Sequence, residues 1–214
     1  MKITTSSYIS AAGAFLNGQQ KFTFRETNWQ KECYQQLGLD YPKFHKMDHL
    51  SKMTVLATEL IYSEGHLNAL MDDEPELLFA NANASQHTDM KFIESYTQQG
   101  NPSPSLFVYT LPNILTGELA IRHKWYGENT FFITPQFDSS LFAERLYHAA
   151  RKGGNWCLCG WVESKVDEKN KVTEECFLFL VALTDNTADR SSFAAALDEL
   201  LTNYRNGNSG NLNR

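Results

Sequence analysis

Hydrophobic residues recur along this chain at two spacings, and the spacings alternate. Leu50, Met53, Val55, Leu56, Leu60 and Ile61 fall at helical intervals. They predict an amphipathic helix running to about Glu64, with Asp48 placed to cap its first turn. Met90, Ile93 and Tyr96 share one face of a second helix over residues 88–98, and helices are predicted at 113–123 and 139–152. Phe193, Ala196, Leu197, Leu200 and Leu201 mark the inner face of a closing helix from Ser191 to Tyr204. Between these lie short apolar runs bounded by turn residues. They are Ile3 to Phe15 with a break at Gly13, Glu76 to Asn81, Thr130 to Thr134, Trp156 to Glu163, and Cys176 to Leu183. Each reads as a strand. The last is apolar almost throughout and should be covered on both faces. Only the charged turn Val166 to Lys171 separates the final two strands, so they must run antiparallel. Gly100 to Ser105 reads as a loop inside the domain.

The order of elements, β-α-β-α-β-α-β-β, defines an α/β domain. Its 214 residues and 24.4 kDa suit a single unit, expected over residues 1–205, with a polar, disordered tail at 206–214. A formal charge of -6 without any Lys/Arg cluster argues against nucleic acid or an anionic membrane as partner. The N-terminal stretch carries Thr4, Thr5, Ser6 and Ser7, too polar for a signal peptide, and reads as an opening strand. No run reaches transmembrane length. The expected location is the cytoplasm.

Cys157 and Cys159 stand two apart in a strand and share a face. With no second pair or His at ligand spacing, they and Cys33 and Cys176 read as buried thiols of a reducing compartment. His45 and His49 are four apart around a helix start, a spacing that can bind metal, but Asp48 between them is more simply a cap. No metal and no cofactor are expected.

One series of motifs narrows the class. Leu111-Pro112-Asn113, Gly117-Glu118-Leu119-Ala120-Ile121, Tyr126-Gly127-Glu128-Asn129 and Ser139-Ser140-Leu141 follow one another between a turn, a helix, a strand and a helix. In order and spacing this series resembles the N-terminal half of a β-ketoacyl synthase, and Lys46-Met47-Asp48 is similar to the Arg-Met-Asp that introduces a helix there. The likeness covers roughly Ile3 to Leu183. It implies one half of the thiolase-like fold, with a five-stranded mixed sheet and helices on both faces. It also implies an edge strand, Thr130, Phe131, Phe132 and Ile133, that pairs across a dimer axis.

The same alignment removes the chemistry. Laying Ser139-Ser140-Leu141 on the family's Ser-Ser-Leu puts Phe137 at the nucleophilic Cys, or Gln136 if the register slips by one. A phenyl ring can neither attack a thioester nor carry an acyl group. The family's two catalytic imidazoles lie in a half this chain does not match, and none of His45, His49, His66, His87, His123 or His148 falls at a matching position. Gln136, Phe137, Asp138 and Ser139 become candidate lining of an acyl site, with no catalytic residue among them.

Three functions follow as expectations. The first is a non-catalytic, chain-length-factor-like subunit of fatty-acid or polyketide-type biosynthesis, paired with a Cys-containing ketosynthase and able to dock an acyl carrier protein. The second is a condensing acyltransferase of the 3-oxoacyl synthase type, completed by a partner chain. The third is a stand-alone homodimer that binds an acyl or other small apolar ligand.

Overall fold

The expected opening strand divides at its Gly13 break into β1 (Lys2–Ser10) and β2 (Gly13–Leu16), and a third strand, β3 (Gln19–Phe22), follows. The computed structural model describes residues 1–65, 67, 70, 75–98, 100–184 and 189–207. His66 and the tail from 208 onward lie outside the described residues. Asn17 and Gly18 both take left-handed backbone, φ 50° and 78°, which makes the two-residue turn that suits a tight hairpin. A Cβ on Gly13 would stand 2.6 Å from the Phe22 carbonyl oxygen, so only glycine fits where β2 and β3 close up.

Four further strands complete the sheet: β4 (Pro75–Asn81), β5 (Asn129–Ile133), β6 (Trp156–Val166) and β7 (Val172–Ala182). Their order is β3-β2-β1-β7-β6-β4-β5, seven strands instead of five. β4 pairs in parallel with β5 and β6, and every other pairing is antiparallel. The sheet is therefore mixed, as expected. β6 and β7 stay in register from Trp156 opposite Ala182 to Val166 opposite Val172. Asp167 closes their turn by accepting from the Lys169 and Lys171 amides at 2.8 Å.

Alternation along the strands sorts the core into two layers. Leu77, Phe79, Leu158, Val162, Leu178 and Leu180 face α1 (Trp29–Gln36), α2 (His49–Ser63) and α5 (Ile114–His123). Leu78, Cys157, Cys159, Trp161, Phe177, Phe179 and Val181 face α6 (Ser139–Arg151) and α7 (Arg190–Arg205). Helices thus cover both faces. Cys157 and Cys159 share a side with sulfurs 3.6 Å apart, all four cysteines are free and buried, and burial pushes the Cys159 thiol well above its usual range.

Two helices depart from their sequence reading. α2 is buried almost all round, because Ser51, Thr54, Ala57 and Thr58 are covered along with its apolar stripe. Its hydroxyls are satisfied within the helix: Thr54 and Thr58 donate to the carbonyls of Leu50 and Thr54, each at 2.8 Å. α3 (Gln86–Thr97) is turned the other way. Its buried residues are His87, Thr88 and Ser95, while Met90, Ile93 and Tyr96 face solvent at 36 %, 48 % and 45 % exposure. What lies beneath α3 is polar, so the polar face packs inward. Next to it, α4 (Pro104–Val108), which begins inside the segment expected to be a loop, also exposes Phe107 and Val108.

Among the described residues no helix is long and apolar enough to cross a membrane.

Candidate functional site

The segment before α6 is shaped by capping. Asp138 is the N-cap and accepts from the Leu141 amide at 2.9 Å. Ser139, one residue inside, donates its hydroxyl to Asp198 of α7 at 2.8 Å and is buried. Asp138→Ala should therefore lower stability by about 1 kcal/mol, with Asp138→Asn retaining most of it, in urea unfolding.

Gln136 is exposed, and its carbonyl accepts from the Thr134 hydroxyl at 2.9 Å. Phe137 turns inward. Its ring centroid lies 5.3 Å from Phe142, 5.9 Å from Phe177 and 6.0 Å from Trp161, the last two contacts nearly edge-on. Such tilted and offset contacts are the favourable geometries for aromatic pairs. An open surface depression of about 460 Å³ is lined by residues 134–139 and by Asp198. All four candidate lining residues thus border one open hollow. The arrangement holds a helix start and an aromatic cluster and presents no thiol.

β5 ends the sheet. It pairs with β4 alone among the described residues, from Leu77 opposite Asn129 to Asn81 opposite Ile133. Phe131 packs into the α2 layer and Phe132 into the α6 layer, where the Arg145 guanidinium lies 5.1 Å from its ring. Thr130 is half-buried and Ile133 is 52 % exposed. An unpaired strand edge of this kind is a template for another strand.

A second cluster was not legible from spacing. Where the start of α2, the first turns of α3 and strands β6 and β7 meet, His49 Nδ1 lies 2.5 Å from Glu174 Oε1 and His49 Nε2 lies 2.9 Å from Lys91 Nζ. Glu174 Oε2 accepts from Trp29 Nε1 at 3.1 Å, and Ser164 Oγ donates to Oε1 at 3.3 Å. His87 Nδ1 lies 2.9 Å from the same Ser164 hydroxyl, and the two imidazole rings are 4.2 Å apart. Asp48, the α2 cap, accepts from the Ser51 amide and the Thr88 hydroxyl.

Burial, with the neighbouring His49 and Lys91 charges, pushes the His87 imidazole down to about 4, while Glu174 pulls the other way. Burial works to raise Glu174, but its bonds and charge contacts to His49, the His87 charge and the Trp29 bond outweigh it and hold the carboxyl below its usual range. Burial raises Asp48 despite its hydrogen bonds. His49, His87 and Glu174 each bring one donor atom within 4.8 Å of the others, a ligand set that suits a divalent cation. Their engagement by Lys91, Ser164 and Trp29 instead makes them a continuous hydrogen-bond network.

The paired reading of His45 and His49 does not survive. His45 packs edge-on against Tyr34 and Phe44, and His49 turns toward residues 42 and 125 positions away. His123 is stacked between Tyr62 and Trp125, and His148 sits on the exposed side of α6 beside Glu144.

This architecture, a mixed sheet between helical layers with a free parallel strand at one edge, is the thiolase-like fold of ketosynthases and chain length factors. Three solved structures share it. The chain is similar to the complex of the ketosynthase ApeO with its chain length factor ApeC from Xenorhabdus doucetiae at 16% identity and TM-score 0.54, covering 85% of this chain and 78% of that one. It is similar to the ishigamide ketosynthase/chain length factor at 18% identity and TM-score 0.62, covering 88% and 63%. The third is a type II PKS acyl-carrier protein in complex with its ketosynthase bound to the hexaketide, at 16% identity and TM-score 0.56, covering 85% and 62%. The match thus spans less than two thirds of the latter two chains. No protein-family model matches the sequence, and no curated protein matches it.

Proposed function

We propose that this chain is a non-catalytic, chain-length-factor-like subunit, a single unit over residues 1–205 that pairs in the cytoplasm with a Cys-containing ketosynthase of polyketide-type biosynthesis. The observation that carries the reading is the outward apolar face of α3 and α4. Met90, Ile93, Tyr96, Phe107 and Val108 are exposed together while the helix buries polar residues. A soluble monomer rarely arranges a helix so, and a partner surface is the economical account. The free edge of β5 ends at the same side of the sheet from which α3 departs, since Ile133 is opposite Asn81.

Phe137 supports the non-catalytic part. Its ring is wedged into an aromatic cluster at the position the alignment gives to the nucleophile. The match to a chain in the ApeO–ApeC complex supports the rest, since its coverage of 85% and 78% means two chains close in length. An acyl carrier protein is part of this proposal, because one accompanies the ketosynthase in the third similar structure.

Co-expression of the tagged chain with a Cys-containing ketosynthase from the same genome, read by native mass spectrometry, tests the pairing. A 1:1 complex is expected. Ile133→Asp combined with Phe107→Asp should weaken it by about tenfold or more, as loss of apolar anchors at an interface core does, with an unchanged circular dichroism spectrum. Recovery of the chain only with itself would reject the heterodimer and favour a homodimeric binding protein.

A further inference from the structure

Away from Phe137, the most closely connected ionisable groups are those around His49, and their hydrogen bonds have a direction. A lysine ammonium can only donate, so at 2.9 Å Lys91 Nζ gives its proton to the bond with His49 Nε2. The imidazole proton then sits on Nδ1 and is donated to Glu174 Oε1 at 2.5 Å. Trp29 and Ser164 fix that carboxylate from its other sides. Amine, imidazole and carboxylate thus stand in the order nucleophile, proton acceptor, orienting group, drawn from α3, α2 and β7.

The arrangement has the logic of a nucleophile activated by an adjacent base that is itself held by a third group. When Lys91 passes its proton to His49, an imidazolium forms against the Glu174 carboxylate, which opposes its charge. A free amine is left at the edge of the cluster. We propose that Lys91 is a reactive amine toward aldehydes and ketones, with His49 as its proton acceptor and Glu174 as the residue positioning that imidazole. This goes beyond the partner-subunit reading and does not depend on it.

The step balances without an oxidant. The Nζ lone pair forms a bond to the carbonyl carbon, the carbonyl oxygen gathers the protons released from nitrogen and leaves as water, and an imine remains. The charged groups facing Lys91 are Glu174 and Asp48 across the cluster and Glu94 on its own helix. All three favour the ammonium, yet burial prevails and keeps Lys91 below the usual lysine range. Lys52, also of α2, is lowered by burial and by the Lys91 charge.

The test uses the intact protein with limiting propionaldehyde and cyanoborohydride, which reduces the imine to a stable secondary amine located by peptide mass mapping. At pH 7 Lys91 should be labelled about tenfold or more ahead of Lys152, because the His49 imidazole beside it is placed to take its proton. Lys152 is the reference, with 68% side-chain exposure and only a surface pairing to Glu128. His49→Gln and His49→Asn, which remove the proton acceptor, should each bring Lys91 down toward the Lys152 level and leave Lys152 unchanged. Equal labelling of the two lysines in the unaltered protein would overturn the proposal, as would a His49→Gln protein that folds and keeps the tenfold ratio. Should the variants not fold, the pH profile of the unaltered protein decides. Lys91 labelling must level off at lower pH than Lys152, and a shared midpoint refutes the assignment.

Discussion

Phe79→Ala should lower the unfolding free energy by about 3–5 kcal/mol, one of the largest losses available to a single truncation in this chain. Phe79 sits in β4, is fully buried, and lies in the sheet between the strands bearing Phe131 and Gly160. Its ring is the reason Gly160 must be glycine. A Cβ there would stand 2.4 Å from Phe79 Cε1 and 2.6 Å from Leu178 Cδ2, in a layer with no room to relax. Gly160→Ala alone should therefore cost about 1–3 kcal/mol through overpacking. The two changes share one volume, so their effects cannot add. In urea or thermal unfolding, the double variant should be more stable than the sum of the single losses predicts by about 0.5–3 kcal/mol. Strict additivity would show that the alanine methyl is rejected by Leu178 alone, and the packing account of Gly160 would fail.

How much of this was readable beforehand follows from what each signal depends on. Periodicity located α2 and α7, and the apolar runs located β4, β6 and β7, because each is covered by the core that its own apolar residues create. An apolar run from Ile3 to Phe15, broken at Gly13, stops short of the β2–β3 hairpin. Asn17-Gly18 lies just beyond it, and that dipeptide is among the strongest local hairpin signals. The α3 helix misled in a different way. Its apolar face was correctly grouped, but spacing says only that residues share a face and not which way the face points. The polar face of α3 is held by His49, Asp48 and Ser164, which come from other segments and meet α3 only in the folded chain. The same reason hid the polar cluster itself, whose members have no common motif. The motif series around Ser139, in contrast, pointed to the fold from local residues alone, and three solved structures share that fold.

Acid should unfold this protein earlier than its carboxylates would. His87 and His123 are both held down at about 4 in the folded chain, chiefly by burial; the Arg122 charge adds to that at His123 while Glu59 opposes it. In the unfolded chain each returns to about 6.5. Between those values the unfolded state binds protons that the folded state refuses, so stability rises with pH across this window and falls as pH drops through it. Above pH 6.5 both forms are neutral and the two histidines contribute no slope. At pH 4 each has removed up to about 3 kcal/mol. Glu174, whose carboxyl is lowered, begins to act in the same direction only below its unfolded value, while buried Asp48, which is raised, partly offsets it. Urea midpoints should therefore fall steadily from pH 6.5 to 4.5. His123→Phe, which can keep the stacking on Tyr62 and Trp125 at 5.1 and 4.5 Å, should flatten about half of that slope. A profile level down to pH 4.5, or one whose fall His123→Phe leaves unchanged, would mean that these imidazoles accept protons within the folded chain as readily as in the unfolded one.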